Sequence, residues 1–419
     1  MTTAVTSASA LASSSSTGGR APRLLYVVTH PVTADAFLRG QLAFMRERGF
    51  DVTVIASPGP ELERLAVRER VKTIPVRMER RIRPQRDPAS LVQLLAAMRS
   101  ARPDVVNAST PKAGLLGMLA ARALRVPVRI YLLRGLRLET TSGALRKVLS
   151  TTEQIASACS HEVVCNSDSL RIAAVAGGHI PAEKARVVGA GSSNGVHVER
   201  FIRTPDRVRA GRALARAAGI ADDDEVIGFV GRFDPDKGIP DLLDAFVRIR
   251  HQRPRARLLL VGGGFAGDLD RDVMKRIRGI DGVVALGKVD DVAPIYARMD
   301  VLAFPSYREG FPNVPLEAAS AGVPAVGYRA TGVVDAIADG ETGTIVPLRD
   351  VAALASALVH YLAAEDFRRA RGSAAEARAR LEFSQEGVWK CWEAYYRARL
   401  GALPQWTHMS RERDSAPGG

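Results

Sequence analysis

The segment Phe229-Val-Gly-Arg-Phe-Asp-Pro-Asp-Lys-Gly238 decides the fold prediction, because it joins the end of a strand to the start of a helix. The strand candidate is Val226–Val230, a short apolar run, and the helix candidate is Pro240–Arg250, whose apolar residues recur with a helical period. A nearly continuous apolar strand followed at once by a helix is typical of a parallel sheet that is buried on both faces. The segment therefore predicts one unit of an α/β fold.

The same alternation extends in both directions along the chain. The other predicted strands are Leu24–Val28, Val52–Ala56, Thr73–Val76, Val105–Ala108, Val128–Leu133, Glu162–Cys165, Arg186–Val188, Arg257–Val261, Val283–Leu286, Val301–Phe304, Ala325–Gly327 and Thr344–Val346. Predicted helices between them include Ala34–Arg48, Ala89–Ser100, Ala113–Leu124, Ala144–Ser157, Val292–Arg298, Val314–Ala321 and Val351–Ala363. Two such series predict two facing Rossmann-like domains with parallel sheets.

The length of 419 residues also favours two domains. We predict an N-terminal domain at 21–203, a C-terminal domain at 204–383, a last helix at 384–400 that crosses back onto the N-terminal domain, and loose tails at 1–20 and 401–419. Ligands of open parallel sheets bind beyond the carboxyl ends of the strands. Two facing sheets therefore predict a ligand in the cleft between them.

Composition limits the class of protein. Hydrophobic residues make up 46% of the chain and charged residues 25%, as in ordinary globular proteins. No apolar run reaches the roughly 18 residues of a membrane-spanning helix, and the start of the chain lacks the features of a secretory signal. Cys159, Cys165 and Cys391 show no metal-ligand spacing, which suits a reducing cytosol. We therefore expect a cytoplasmic protein.

The net charge of +14 has two interpretations. Either arginine is simply abundant across the helices, or the protein is attracted to an anionic partner such as a phosphate-bearing substrate or a lipid surface. Aromatic residues amount to only 5% and do not interleave with basic ones. We therefore predict no nucleic-acid partner.

Gly231, Arg232, Lys237 and Gly238 can form an anion site. The glycines permit close approach of the backbone, and the two cations should stand at the carboxyl end of a strand, beside a helix N-terminus. That combination suits a diphosphate. The alternative is a solvated loop with two ordinary surface charges.

Glu309 and Glu317 form a second candidate constellation. Gly310 and Pro312 prevent a helix before about Asn313, a candidate N-cap, so Glu309 should lie on a loop and Glu317 one turn inside the next helix. Such carboxylates could accept hydrogen bonds from sugar or ribose hydroxyls. A glycosidase-type acid/base pair is a rival, disfavoured because both carboxylates come from one short loop. Two ordinary surface glutamates are the simplest alternative.

Together these motifs resemble the retaining glycosyltransferases of family 4, which have the GT-B fold. The similarity rests on G-R-x4-K-G ending at Gly238, on E-x7-E ending at Glu317, and on the turn Asp339-Gly-Glu-Thr-Gly343. Asn194-Gly-Val-His-Val-Glu-Arg-Phe201 is similar to the family's N-G-V-D…F segment, with His197 replacing the usual Asp. The chain looks closest to capsule and O-antigen transferases, which carry segments like Ser109-Thr-Pro-Lys-Ala-Gly-Leu-Leu-Gly117.

The resemblance implies that Arg232 and Lys237 grip the diphosphate of the donor. Glu317 would hold the ribose hydroxyls, and Glu309 would contact the transferred sugar ring. Many members have a His after the fifth N-terminal strand that points at this sugar; here the position is Arg134, which could bind the sugar or a phosphate but whose catalytic role is open. The other implied donor-site residues are Gly231, Lys288, Val289, Gly310, Phe311 and Asn313.

The acceptor is expected in the N-terminal domain. The basic segment Arg77-Met-Glu-Arg-Arg-Ile-Arg-Pro-Gln-Arg86 follows a predicted strand and should lie at the cleft end of the sheet. We predict that Arg80, Arg81, Arg83 and Lys112 contact an anionic membrane surface or the diphosphate of an acceptor. The alternative is a solvated loop in an arginine-rich protein.

The resemblance implies a retaining, metal-independent hexosyl- or N-acetylhexosaminyltransferase with no cofactor. It would move sugar from a UDP- or GDP-sugar to a saccharide acceptor such as a polyprenyl-diphosphate saccharide, at the inner face of the membrane. Asp234-Pro-Asp236 has the form of a metal site but lies between the two phosphate cations. Two rivals are a nucleotide-sugar epimerase of the same architecture and a non-catalytic sensor of sugar nucleotides.

Overall fold

The computed structural model describes residues 20–79, 83, 85–263 and 271–403. Its strands are β1 Arg23–Val28, β2 Asp51–Ala56, β3 Lys72–Pro75, β4 Val105–Ser109, β5 Val128–Leu133, β6 Glu162–Cys165, β7 Ala185–Arg186, β8 Glu225–Gly231, β9 Ala256–Gly262, β10 Val283–Gly287, β11 Val301–Phe304, β12 Ala325–Tyr328 and β13 Gly343–Val346. Each predicted strand therefore has a counterpart among these thirteen strands of the described residues, and the predicted and observed boundaries differ only at the strand ends.

Helices connect these strands. They are α1 Pro31–Phe37, α2 Gln41–Glu47, α3 Pro60–Glu69, α4 Asp87–Ala101, α5 Pro111–Ala123, α6 Gly143–Cys159, α7 Asp168–Ala176, α8 Val198–Phe201, α9 Pro205–Ala217, α10 Ile239–Gln252, α11 Arg271–Gly279, α12 Ala293–Tyr296, α13 Asn313–Ser320, α14 Val333–Ala336, α15 Val351–Ala363, α16 Glu365–Phe383 and α17 Gln385–Gly401. Within the described ranges, no helix combines the length and the apolar character needed to cross a bilayer.

The strands form two parallel sheets. The first has seven strands in the order β3-β2-β1-β4-β5-β6-β7, and the second has six in the order β10-β9-β8-β11-β12-β13. In each sheet the strand order reverses beside the first strand, between β1 and β4 and between β8 and β11. This confirms the predicted pair of Rossmann-like domains, and it places one topological switch point in each sheet.

The strands are buried because helices cover both faces of each sheet. Five of the six residues of β1 are buried, and so are all five of β4. Alternate residues of β1 belong to different core clusters: Leu25 and Val27 pack on one face, and Leu24 and Tyr26 on the other. An apolar strand without polar alternation is therefore explained by two packed faces rather than by one.

The last helix, α17, crosses onto the first sheet as predicted. Trp392 and Tyr396 are almost fully buried in the core cluster that contains Leu24 and Tyr26. The two chain crossings between the domains are hydrogen-bonded to each other, because the Val196 N–H donates to the carbonyl of Phe383 at 2.8 Å. Val198 and Phe201 already pack in the second domain's core. The predicted boundary at residue 203 stays a prediction.

Two local predictions were wrong. The helix predicted over Ala34–Arg48 is broken into α1 and α2 at Gly40, whose φ of +78° a helix cannot contain. Asn313 is the first residue of α13 and not its N-cap, which is Pro312. In the first case the apolar period continued through the position, so the period alone could not locate the break. In the second case residue type favoured Asn313 as the cap, and the helix begins one residue earlier than that choice implies.

Candidate active site

The two charged motifs lie at the switch point of the second sheet. Arg232 and Lys237 follow β8, and Glu309 follows β11, which is the neighbouring strand on the side where the order reverses. The carboxyl ends of parallel strands share one edge of the sheet, where ligands of such folds bind. The topology thus brings together two motifs that are more than 70 residues apart in the chain.

Gly238 lets these two loops touch. It has φ +65°, and a Cβ added there would lie 2.1 Å from the carbonyl oxygen of Pro305. The Tyr307 N–H donates to the carbonyl of Asp236 at 2.8 Å, which joins the same loops through the backbone. Only glycine combines this conformation with such close approach at low cost.

Lys237 and Glu309 form an ion pair across the two loops. The side chain of Lys237 is only 17% exposed and that of Glu309 only 15%, so the pair is largely withdrawn from solvent. The Lys237 ammonium also lies 5.7 Å from the ring centre of Phe304. The two residues that the motifs assign to diphosphate and sugar are therefore direct neighbours.

The other charges of the first motif are also paired. The half-exposed Arg232 guanidinium contacts Asp234 at 2.6 Å. Asp236 pairs with Arg308 at 2.5 Å, and Arg308 in turn donates to Thr140 Oγ1 of the first domain at 2.7 Å. Both carboxylates of Asp234-Pro-Asp236 thus face arginines. The described residues hold no cluster of three His, Cys, Asp or Glu side chains suited to a metal, and metal independence stays a prediction.

Glu317 lies inside α13, as predicted. Its Oε2 accepts a hydrogen bond of 2.7 Å from the hydroxyl of Tyr296, and burial raises the pKa of the Glu317 carboxyl above its usual range. Tyr296 itself packs edge-on against Phe201. Sequence reasoning missed Tyr296, because nothing in its own segment indicates a partner 21 residues away.

The remaining donor-site candidates line the same edge. Lys288 is exposed and Val289 is half-buried, and both directly follow β10. Phe311 packs against Phe383 with ring centres 5.1 Å apart, and Gly191 of the first domain lies against the Phe311 ring. Gly310 is buried and Asn313 is half-buried. These placements agree with the expected donor site, although the individual contacts with a donor stay predictions.

Arg134 faces this site from the first domain. It directly follows β5, and its carbonyl oxygen would lie 1.7 Å from a Cβ added at Gly310, so the two backbones are in contact. Arg134 Nη1 donates to Ser193 Oγ at 2.5 Å, and the guanidinium stacks on Phe37 at 4.8 Å. Burial lowers the pKa of Arg134 to about 10. The structure thus places Arg134 beside the E-x7-E loop.

Further polar contacts join the domains around the cleft. Ser167 Oγ donates to the carbonyl of Gly310 at 2.7 Å, and Asp335 Oδ1 accepts the N–H groups of Asp168 and Ser169 at 3.0 and 3.1 Å. Thr331 Oγ1 donates to Glu139 at 2.6 Å. The Asp335 carboxylate therefore caps the start of α7 from the other domain. No sequence pattern indicated these long-range partners.

The predicted acceptor residues have unequal outcomes. Arg80 and Arg81 lie outside the described residues. Arg83 is exposed, and its Nε is 3.1 Å from Glu79, which also pairs with Arg86. Lys112 does not fit a membrane contact: its side chain is only 7% exposed and its ammonium contacts Asp87 at 2.6 Å. Met78, from the same basic segment, is buried in the core.

Comparison with known proteins assigns the family. Residues 224–364 match the family described as glycosyl transferases group 1, and residues 34–191 match the glycosyl transferase 4-like domain. The capsular polysaccharide biosynthesis glycosyltransferase CapM of Staphylococcus aureus is 34% identical over 364 residues, which cover 87% of this chain and 94% of CapM. The chain belongs to the group 1, family 4-like glycosyltransferases. The resemblance deduced from the motifs is confirmed.

A second relative and one solved structure extend this comparison. A UDP-Gal:alpha-D-GlcNAc-diphosphoundecaprenol alpha-1,3-galactosyltransferase of Escherichia coli is 25% identical over 315 residues, covering 74% of this chain and 79% of that enzyme. The crystal structure of Anabaena HepE in complex with UDP and glucose superimposes with a TM-score of 0.75 at 21% identity, covering 90% of this chain and all of HepE. The GT-B fold is thereby confirmed.

Proposed function

We propose that this glycosyltransferase moves a hexose or N-acetylhexosamine from a UDP- or GDP-sugar to a lipid-linked saccharide during synthesis of a surface polysaccharide. The observation that carries the proposal is the direct pairing of Lys237 with Glu309 at the switch point of the second sheet, opposite Arg134. A cation for the leaving group and a carboxylate for the sugar stand side by side there. The activities for which CapM and the Escherichia coli galactosyltransferase are named support the substrate class.

The proposed reaction retains the configuration of the sugar and needs no metal. The bond between the anomeric carbon and the diphosphate breaks, and the diphosphate takes the electron pair. The acceptor oxygen bonds to the same face of that carbon, and its proton passes to an oxygen of the departing diphosphate. Arg232, Lys237 and the N-terminus of α10 would stabilise the charge that develops on this leaving group.

Glu309 would have two effects in this arrangement. Its negative charge holds the Lys237 ammonium in place, and its other oxygen remains for a hydroxyl of the transferred sugar. Preorganised charges of this kind cost no reorganisation during the reaction and therefore favour the transition state. Glu317, fixed by Tyr296, would hold the ribose in ground state and transition state alike.

We further propose that the enzyme works at the cytoplasmic face of the membrane, as a peripheral protein. Arg77 and Arg83 are exposed beyond the carboxyl end of β3, on the domain that would take the acceptor. Glu79 offsets part of this charge by pairing with Arg83 and Arg86. Any attraction to anionic lipid should therefore be modest and should vanish at high salt.

The proposal is tested by supplying candidate UDP- and GDP-sugars with and without a short polyprenyl-diphosphate saccharide, and by measuring release of nucleoside diphosphate. We expect release only with the acceptor, an unchanged rate in EDTA, and a product with the donor's anomeric configuration by NMR. Epimerisation of the sugar without an acceptor would instead establish the epimerase. Tight binding of a sugar nucleotide without any turnover would establish the sensor.

A further inference from the structure

The cleft contains a positive charge that no acidic side chain in the described part of the chain neutralises. Arg134 forms no ion pair with any Asp or Glu of the described residues. The ionisable groups that favour its charged form are the hydroxyls of Tyr396 and Tyr26. Burial raises the pKa of both phenols, so they stay neutral. A guanidinium withdrawn from water without a counter-charge is costly for the protein.

The hydrogen-bonding capacity of Arg134 is also unused. Nη1 donates to Ser193 Oγ, but the buried Nε–H has no partner in the described part of the chain. Arg298, whose buried Nε also lacks a hydrogen-bond partner, differs in lying 3.9 Å from Asp300 and in donating through Nη2 to two backbone carbonyls. Arg134 therefore differs from Arg298 in having no carboxylate of the described residues beside it, and from Arg371, whose buried Nε is also unpartnered, in lying directly after a strand rather than within α16.

The location of Arg134 shows where the missing partner would come from. The residue ends β5 at the cleft edge of the first sheet, and its backbone touches Gly310, the neighbour of Glu309. Phe37, on which the guanidinium stacks, is 39% exposed although it is a large apolar residue. The stacked pair therefore borders open space beside the residue proposed for the sugar.

We propose that Arg134 recognises an anionic group on the saccharide, and that a substrate of this enzyme is acidic at the position that meets it. This inference rests on the proposed function and deepens it. A planar guanidinium with free donors matches a carboxylate or a phosphate, both of which accept two parallel hydrogen bonds. Two sources have this chemistry: the C6 carboxylate of a uronic acid on the donor, and a phosphate of the acceptor.

Recognition of a carboxylate on the donor is tested with two pairs of nucleotide sugars. The members of each pair differ only at C6 of the sugar: UDP-glucose with UDP-glucuronate, and GDP-mannose with GDP-mannuronate. Calorimetric titration of the wild type should show about 10- to 150-fold tighter binding of the uronate, the range expected for a charge-assisted hydrogen bond. Arg134→Gln should remove this preference and leave the affinity for the free nucleoside diphosphate unchanged. Arg137→Gln is the matched control, since it removes an exposed charge from the same loop.

The acceptor source is tested with one saccharide carried either on a short polyprenyl diphosphate or on a neutral alkyl chain. If the phosphate is the partner, Arg134→Gln should raise the KM for the diphosphate acceptor about tenfold or more and leave the KM for the neutral one unchanged. Arg134→Lys should recover part of the loss in whichever assay responds, because it restores the charge but not the planar fork.

The two possible failures are distinguishable. If neither UDP nor GDP binds the wild type, the proposed function is wrong. If one of them binds but Arg134→Gln matches Arg137→Gln in both assays, the anion site is wrong and the proposed function stands. Arg134→Met gives an independent readout, since removal of an uncompensated cation should keep or raise the melting temperature. A markedly lower melting temperature would mean that Arg134 is structural, and would overturn the inference.

Discussion

At the scale of single residues, the sequence indicated which charged side chains belong to one site, but not how they pair. Residue type and spacing made Arg232, Lys237, Glu309 and Glu317 candidates, and the roles that the resemblance implies for them stay predictions. The Lys237–Glu309 ion pair depends on two loops 72 residues apart that meet because β8 and β11 are neighbours. Tyr296 and Ser193 were missed for the same reason, since a hydroxyl has no sequence signature until its partner is known.

The two glutamates should respond differently to neutralisation. Glu317→Gln should raise the KM for the donor with little change in kcat, because the ribose contact is the same in the ground state and in the transition state. Glu309→Gln should lower kcat about tenfold or more, because it removes a contact to the reacting sugar and frees the Lys237 ammonium. Steady-state kinetics with Glu365→Gln, an exposed glutamate on α16, as the control check this assignment. The reverse pattern would exchange the two roles.

At the scale of elements, the sequence predicted the strands better than the helix ends. Strand β11 coincides with its predicted apolar run, because a strand buried on both faces tends to be apolar over its whole length. The break between α1 and α2 lies at Gly40, which contacts Trp389 of α17, a partner that the local sequence does not indicate. The indole ring occupies the space where a side chain at position 40 would stand.

Substitution of Gly40 measures that contact. Gly40→Ala should lower the melting temperature more than Gly49→Ala does. Both positions have positive φ, of +78° and +87°, but a Cβ at Gly40 would lie 2.4 Å from the Trp389 ring, whereas at Gly49 nothing lies within 4 Å. Overpacking typically costs about 1–3 kcal/mol beyond the backbone penalty. Equal melting temperatures would show that Trp389 does not determine the break.

Helix α6 carries a buried titratable group that should make stability depend on pH. Burial raises the pKa of Glu153 to about 7, against the hydrogen bond of 2.6 Å that it accepts from Tyr131. The folded state then binds more protons than the unfolded state between about pH 4.3 and pH 7, so the contribution of Glu153 to stability falls as the pH rises through that window. Glu153→Gln should remove this part of the pH dependence in melting curves from pH 5 to pH 8. If the melting temperatures of the wild type and Glu153→Gln change with pH in the same way, Glu153 does not contribute to the pH dependence of stability.

At the scale of the whole molecule, the alternation of strands and helices predicted the two-domain architecture. It did not predict the contacts between the two domains. The cleft is crossed by contacts of Ser167, Asp335 and Thr331 that no local pattern indicates. These contacts join residues at least 143 positions apart. Only the folded arrangement of both sheets brings them into reach.

Asp335 should hold the domains in register. Asp335→Ala removes a carboxylate that caps α7 from the other domain, whereas Asp350→Ala removes one that caps α15 within its own domain. Each should cost about 1 kcal/mol of stability, as helix caps generally do. Only Asp335→Ala should also increase the radius of gyration in small-angle scattering. An unchanged radius would mean that the remaining contacts suffice to fix the domains.

We propose that the carboxyl edge of the second sheet binds the diphosphate of the donor through Lys237. Calorimetric titration of UDP and GDP into the wild type, Lys237→Ala and Lys390→Ala tests it most directly. Lys390 is a suitable control because it also pairs with a glutamate, at 2.8 Å, but lies exposed on α17. We predict that one of the two nucleotides binds the wild type and Lys390→Ala equally, and binds Lys237→Ala about 10- to 150-fold more weakly, as the loss of a charge-assisted contact implies. Equal affinity for all three proteins, or no binding of either nucleotide, would contradict the account.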